Sequence, residues 1–147
     1  FALRVLFNQM SGALNNNFLL TRSAEYWFNR FFSHPDKHYE CMRLNRLSTT
    51  VAGAIFQIKD QEIEIIDMIF TDKKYINDLL KALKKHAFKL NKNQLLSWGT
   101  EHYIEALGAG KTHHTGGLAL PDDSIGASMA KKVLNRCWMT SGDTDFK

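Results

Sequence analysis

The sequence predicts an α+β domain, and three observations carry that prediction. Thr50–Lys59 is rich in β-branched residues, which favour a pleated strand. Glu62–Phe70 alternates Ile63 and Ile65 against Glu62 and Glu64 before becoming mostly apolar, as a strand buried on one face and then on both would. Lys73–Leu90 then switches period: Ile76, Leu79, Leu80, Leu83, Ala87 and Leu90 recur at helical spacing, with Lys81, Lys84, Lys85, Lys89 and Lys92 mostly off that stripe. A two-stranded ribbon feeding a long amphipathic helix needs a sheet for the helix to cover.

Length and composition bound the rest. A chain of 147 residues makes one domain, and 44% apolar content with ten Phe and three Trp excludes a disordered one. No apolar run approaches the roughly 20 residues of a spanning helix. No signal-peptide pattern is visible. The first residue is Phe rather than Met, so the expectation is a piece of a longer chain. Cys41 and Cys137 lie far apart without metal-ligand spacing, which predicts reduced core thiols in a cytoplasmic protein and no metal. The net charge of +4 concentrates on the 73–92 helix. That pattern suits a solvated helix face, and a polyanion-binding surface is the competing reading.

In chain order, Leu3, Leu6, Phe7, Met10 and Leu14 have helical spacing over Phe1–Asn16, and Asn15–Asn17 ends the helix because Asn tolerates left-handed backbone. Thr21 or Ser23 caps a second helix carrying Tyr26, Trp27, Arg30 and Phe31, which His34-Pro35 terminates. Tyr39–Leu44 alternates as a strand, Asn45–Ser48 turns into the strand at 50–59, and Asp60-Gln61 turns into the third strand of a meander at 62–71. After the long helix, Gln94–Trp98 is short and apolar and is expected to return parallel to 62–71, as a right-handed βαβ unit. Thr100 caps a short helix, Glu101–Leu107, which Gly108 closes. Lys111–Leu120 reads as a strand, Pro121–Asp123 as a turn, Ile125–Ala130 as ambiguous, Val133–Thr140 as a last strand and Ser141–Asp145 as an acidic turn.

Several segments resemble a known superfamily. Arg22–Tyr39 (RSAEYWFNRFFSHPDKHY) resembles the Y-x-x-W/F-R-F-x-x-H-P-x-x-x-Y approach to a first central strand. Val51–Ile55 resembles a V-x-G-x-I strand, and Trp138–Phe146 resembles a terminal W-x-x-T-x-G-D-x-D. With the element order, these resemble the acetyl-CoA-dependent N-acetyltransferases, the GNAT superfamily, and within it a group associated with bacterial polysaccharide and envelope genes. The resemblance implies a mixed, mostly antiparallel sheet with a central parallel strand pair, often in tandem-domain chains. It implies acetyl transfer from acetyl-CoA to a small-molecule amine such as an amino sugar. The pantetheine arm would enter where the 62–71 and 94–98 strands splay and would pair with the exposed strand edge. The pyrophosphate would sit on amides at the start of the long helix. The cofactor contacts then fall on Ile69, Phe70, Thr71, Asp72, Lys73, Lys74, Tyr75 and Ile76.

The chain departs from that pattern at both signature sites. With Leu79-Leu80 as anchor, the Arg and two Gly of an R-x-x-G-x-G loop fall on Thr71, Lys74 and Ile76. The Cβ atoms of Lys74 and Ile76, where the pattern has glycine, obstruct an approaching phosphate, and an Asp72 N-cap competes for the same amides. The Tyr of a Y-x-x-L-G-F acid motif falls on Ile104, with Tyr103 about 100° round the helix, and the aromatic after the Gly is Ala109.

The remaining catalytic candidates are Asp67 and Glu64, on the strand that carries the general base in such enzymes, with Tyr103 as a stand-in acid. Plain alternation puts Asp67 and Glu64 on opposite faces, and Ile66 and Met68 give Asp67 an apolar setting. Structural roles compete for all three. Gly108–Thr112 is not a phosphate loop, because G-x-x-x-x-G-K-[ST] needs Gly where Glu105 stands. His34, His38, His102, His113 and His114 form no ligand motif. Tyr26, Trp27, Phe31 and Phe32 suit a core better than a base-stacking platform, which weighs against nucleic acid. Two main readings follow: an acetyltransferase, or a catalytically degenerate GNAT-like domain serving as substrate platform, homodimer surface or partner to another domain of the same chain. A binder of anionic partners is the third.

Overall fold

The computed structural model describes residues 3–14, 18–108, 110 and 136–143. Its centre is a mixed four-stranded sheet, in an α+β arrangement. β2 (Glu40–Arg46), β3 (Thr49–Ile58) and β4 (Glu62–Phe70) form the expected antiparallel meander, and β5 (Gln94–Ser97) adds parallel to β4. The β2–β3 turn is tighter than the sequence suggests. Arg46 still pairs with Thr49, and the loop is only Leu47-Ser48, both with left-handed φ of 46° and 67°. That is the hairpin geometry usually given to Asn-Gly, so Leu-Ser left no signal for it.

α3 (Lys74–Lys89) crosses from β4 to β5 and buries Ile76, Leu79, Leu83 and Ala87, as its period predicts. Leu90, at the end of the expected stripe, is exposed because the helix stops at Lys89. The His86 ring stands edge-on to Phe56, 5.7 Å between centroids, so α3 covers the face of the sheet that Phe56 shares. Lys81, Lys84, Lys85 and Lys89 are exposed on the far side of the helix.

β4 contains a bulge that the alternation does not announce. Ile55 pairs with Asp67 but Phe56 pairs with Ile65, so Ile66 is an extra residue. A bulge reverses the parity of every side chain beyond it. Asp67 therefore shares the face of Glu64, correcting the expectation of opposite faces. That shared face lies opposite α3.

α2 (Ala24–Trp27) begins as expected at Ser23, whose hydroxyl accepts the Tyr26 amide at 3.0 Å. It continues as a wider π-helical turn, Phe28–Phe32. Trp27 and Phe31 point inward while Phe28 and Phe32 stay exposed, so only part of the aromatic cluster is core. α1 (Leu3–Ala13) buries Leu3, Leu6 and Met10 and packs on β3 and β4. α4 (Glu101–Leu107) has its expected bounds, with Gly108 at φ 61° closing it.

An unexpected pairing joins two segments far apart in the chain: β1 (Phe18–Leu19) runs parallel to β6 (Cys137–Trp138), and a 3-10 turn follows at Ser141–Asp143. The expected strand at 111–120, the turn at 121–123, the segment 125–130, residues 133–135 of the last strand, His113 and His114 lie outside the described residues. Cys137 is buried but Cys41 is exposed, so the two do not form a pair of core thiols. Among the described residues no helix is long and apolar enough to cross a membrane.

Candidate functional site

β4 and β5 pair only from Glu62 opposite Gln94 to Ile65 opposite Ser97. Beyond that point β5 runs into Trp98–Thr100 and pairs with the C-terminal segment, through a bridge from Gly99 to Thr140 and a 3.0 Å bond from the Thr100 amide to Met139 O. Thr100 holds the N-cap position of α4, as expected, but its hydroxyl does not bond the helix amides: it donates to Cys137 O at 2.6 Å and accepts the Met139 amide at 3.1 Å.

The opening between β4 and the β5 extension is filled by the turn at Ser141–Asp143. Ser141 bonds to both lips: its amide donates to Trp98 O at 3.0 Å and its hydroxyl to Ile66 O at 3.1 Å. Gly142 fits because it lacks a side chain. A Cβ there would lie 3.0 Å from Phe31 Cζ and 3.1 Å from both Asp67 Cβ and Ile66 O. Trp138, 1% exposed, stands edge-on to Phe70 and to Tyr103 at centroid distances of 5.7 and 5.4 Å.

Asp67 lies at the bulge, fully buried, and its carboxylate is surrounded by donors. Arg22 Nε donates at 2.8 and 3.1 Å, Trp27 Nε1 at 2.9 Å, the Met68 amide at 2.8 Å and the Thr140 hydroxyl at 3.1 Å. Its surroundings are thus polar despite its apolar sequence neighbours. Arg22 is itself fully buried. It donates from Nη1 to Leu20 O at 2.8 Å and from Nη2 to Asp143 at 2.6 Å. Burial alone would lower the Arg22 pKa, and the flanking Asp67 and Asp143 carboxylates more than offset that, raising it. For Asp143, burial pushes the carboxyl above its usual range; Arg22 pulls the other way and Asp67 adds to the rise. This cluster ties together the approach to α2, the centre of β4 and the C-terminal turn.

The other candidate catalytic groups lie apart from it or are engaged. Glu64 pairs with Lys59 Nζ at 2.6 Å. Tyr103 is fully buried, its hydroxyl 2.7 Å from Ser97 Oγ, and burial holds its phenol well above the ordinary pKa.

Of the expected cofactor contacts, Ile69, Phe70 and Ile76 are core residues. Thr71, Asp72, Lys73, Lys74 and Tyr75 lie at the surface where α3 starts, and there the Asp72 side chain engages a helix amide. Asp72 Oδ1 accepts the Lys74 amide at 2.9 Å, and the Tyr75 and Ile76 amides bond to Asp72 O and Lys73 O, each at 3.0 Å. Amides so engaged offer less to an incoming phosphate. Two open depressions flank this helix start. One of ≈ 560 Å³ lies among Gln9, Val51, Thr71, Asp72, Lys74 and Tyr75. The other, of ≈ 450 Å³, lies among Lys73, His102, Glu105, Ala106 and Trp138.

No group of His, Cys, Asp and Glu among the described residues could hold a metal ion. Sequence reasoning singled out Asp67 but missed its partners Arg22, Thr140 and Asp143 as a cluster. The usable signal was that the two end segments with motif-like residues hold all three. No family model, curated protein or solved structure matches the chain.

Proposed function

We propose that the chain is a GNAT-like domain used as a non-catalytic platform, holding a substrate or partner for another domain or a second copy. The likeness is supported by the three-stranded meander, the crossover helix and the parallel fourth strand. The observation that carries the platform reading is Ser141, bonded to Ile66 O and Trp98 O across the opening that a pantetheine arm would need. Asp67 supports it too. A general base must reach a substrate proton with a free lone pair, and this carboxylate is buried and engaged by donors on both oxygens. The Asp72 contact to the Lys74 amide weighs the same way.

Acetyl transfer from acetyl-CoA to an amine is the second reading. It is favoured by the depression beside Lys73, His102 and Trp138, next to the start of α3. It requires the Ser141–Asp143 turn to leave the wedge. Calorimetric titration with acetyl-CoA, with dephospho and desulfo analogues as controls, separates the two. The platform gives no saturable heat up to millimolar cofactor. Micromolar binding accompanied by acetylation of an amine acceptor would overturn it.

A further inference from the structure

We propose that docking of the C-terminal turn takes up one proton, held between Asp143 Oδ1 and the Tyr26 hydroxyl oxygen. The inference stands whether or not the wedge ever admits an acyl donor. It begins with charge. Arg22, Asp67 and Asp143 all have side chains at 0% exposure, so one guanidinium faces two carboxylates out of water. A surplus buried charge is costly unless it is neutralised.

The hydrogen-bond inventory says where the proton goes. Every neighbour of Asp67 is a donor: Arg22, Trp27, the Met68 amide and Thr140. That carboxylate is therefore the ionised one. Asp143 Oδ2 accepts from Arg22 at 2.6 Å and from the Thr140 amide at 2.9 Å. The Thr140 hydroxyl reaches both Asp67 Oδ1 at 3.1 Å and Asp143 Oδ2 at 3.3 Å but has one hydrogen to give. Among the described residues, the hydrogen-bonding neighbour of Asp143 Oδ1 is the Tyr26 hydroxyl, at 3.5 Å, and that hydroxyl donates to Gly142 O at 2.7 Å. A proton on Oδ1 pointing at the Tyr26 oxygen completes the set and leaves the cluster neutral.

Among the described residues, the charged groups that act most on the Asp143 carboxyl are Arg22 and Asp67 themselves. From the α2 side Tyr26 is held neutral by burial and both carboxylates, with Arg30 acting against that shift. From α4 comes Tyr103 and from β6 comes Cys137, both pushed up by burial and so both uncharged. Asp143 itself is shifted upward, chiefly by burial. Raising the pH removes the proton, restores the surplus charge and weakens the hold on the turn that closes the wedge.

The test is carboxyl carbon NMR of the chain labelled in aspartate, followed against pH, with Asp143 assigned through its own backbone. The expected result is one aspartate that stays protonated after the exposed ones have ionised, and whose signal is absent from Asp143→Asn. In Tyr26→Phe, which removes the acceptor, the midpoint should fall back toward that of the exposed aspartates. Ionisation of Asp143 together with the exposed aspartates would overturn the proposal. An unchanged midpoint in Tyr26→Phe would overturn the placement of the proton. Direct assignment keeps the measurement decisive even if Asp143→Asn does not fold.

Discussion

Asp67 and Asp72 lie close together in sequence, and each accepts a backbone amide just ahead of it: Met68 N for one, Lys74 N for the other. There the likeness ends. Asp67 is fully buried and joins three distant segments through Arg22, Trp27 and Thr140. Asp72 stands in solvent, with one amide and the Lys74 ammonium at 3.3 Å. Its lowered pKa comes from that amide first and the ammonium second. Burial sets what a carboxylate is worth. In water an ion pair is screened and nearly neutral in its effect, whereas a buried charge stripped of its partner is strongly destabilising.

The sharpest way to break this contrast is to remove each carboxylate. Asp67→Ala takes away the ionised partner of the buried Arg22 guanidinium and should cost about 3–5 kcal/mol in urea unfolding. Asp72→Ala loses one amide contact at the start of α3 and should cost only about 0.5–1 kcal/mol. Comparable losses in the two variants would mean that the cluster at Asp67 is not the joint between the three segments.

A smaller effect is expected from the glycine beside that cluster. Gly142→Ala drives a methyl against Phe31, Asp67 and the Ile66 carbonyl, and should cost about 1–3 kcal/mol. Gly12 in α1 has open space around it, so Gly12→Ala should stabilise by roughly 0.5–1 kcal/mol through helix propensity. Opposite signs at two glycines would sharpen the assignment of the C-terminal turn to a tightly filled site.

The pH dependence is the subtlest test. The Asp143 carboxyl is raised in the folded chain relative to its ordinary value of 3.8. The folded state therefore binds the proton more tightly than the unfolded state. The resulting stabilisation is fully present below the unfolded value and is lost as pH rises through the raised folded value. Wild type should accordingly lose stability relative to Asp143→Asn as pH rises from about 4. A relative gain over that window would mean that Asp143 favours its ionised form in the fold.

Much of the sheet and the helices α3 and α4 were legible, because period and turn chemistry are local. The 3.6-residue stripe of α3 and the Thr100 to Gly108 bounds of α4 emerged nearly as read. What stayed hidden was non-local. Ile65-Ile66 interrupts the alternation of β4, yet nothing in the string says that Ile66 is a bulge placing Asp67 on the Glu64 face. Arg22, Asp67 and Asp143 are separated by most of the chain, and charge pairing over such distances has no period to detect. The motif-like residues around Arg22 and Trp138 were noticed only through resemblance to a family. In the fold they supply Arg22, Tyr26, Trp27, Thr140, Gly142 and Asp143, the material of one buried joint.

The most direct measurement is hydrogen exchange at the Ser141 amide, which donates to Trp98 O in the closed wedge. Docking of the turn predicts protection approaching that of the β3–β4 amides. Exchange at the rate of an exposed loop would mean that the wedge stands open and that the platform reading is wrong.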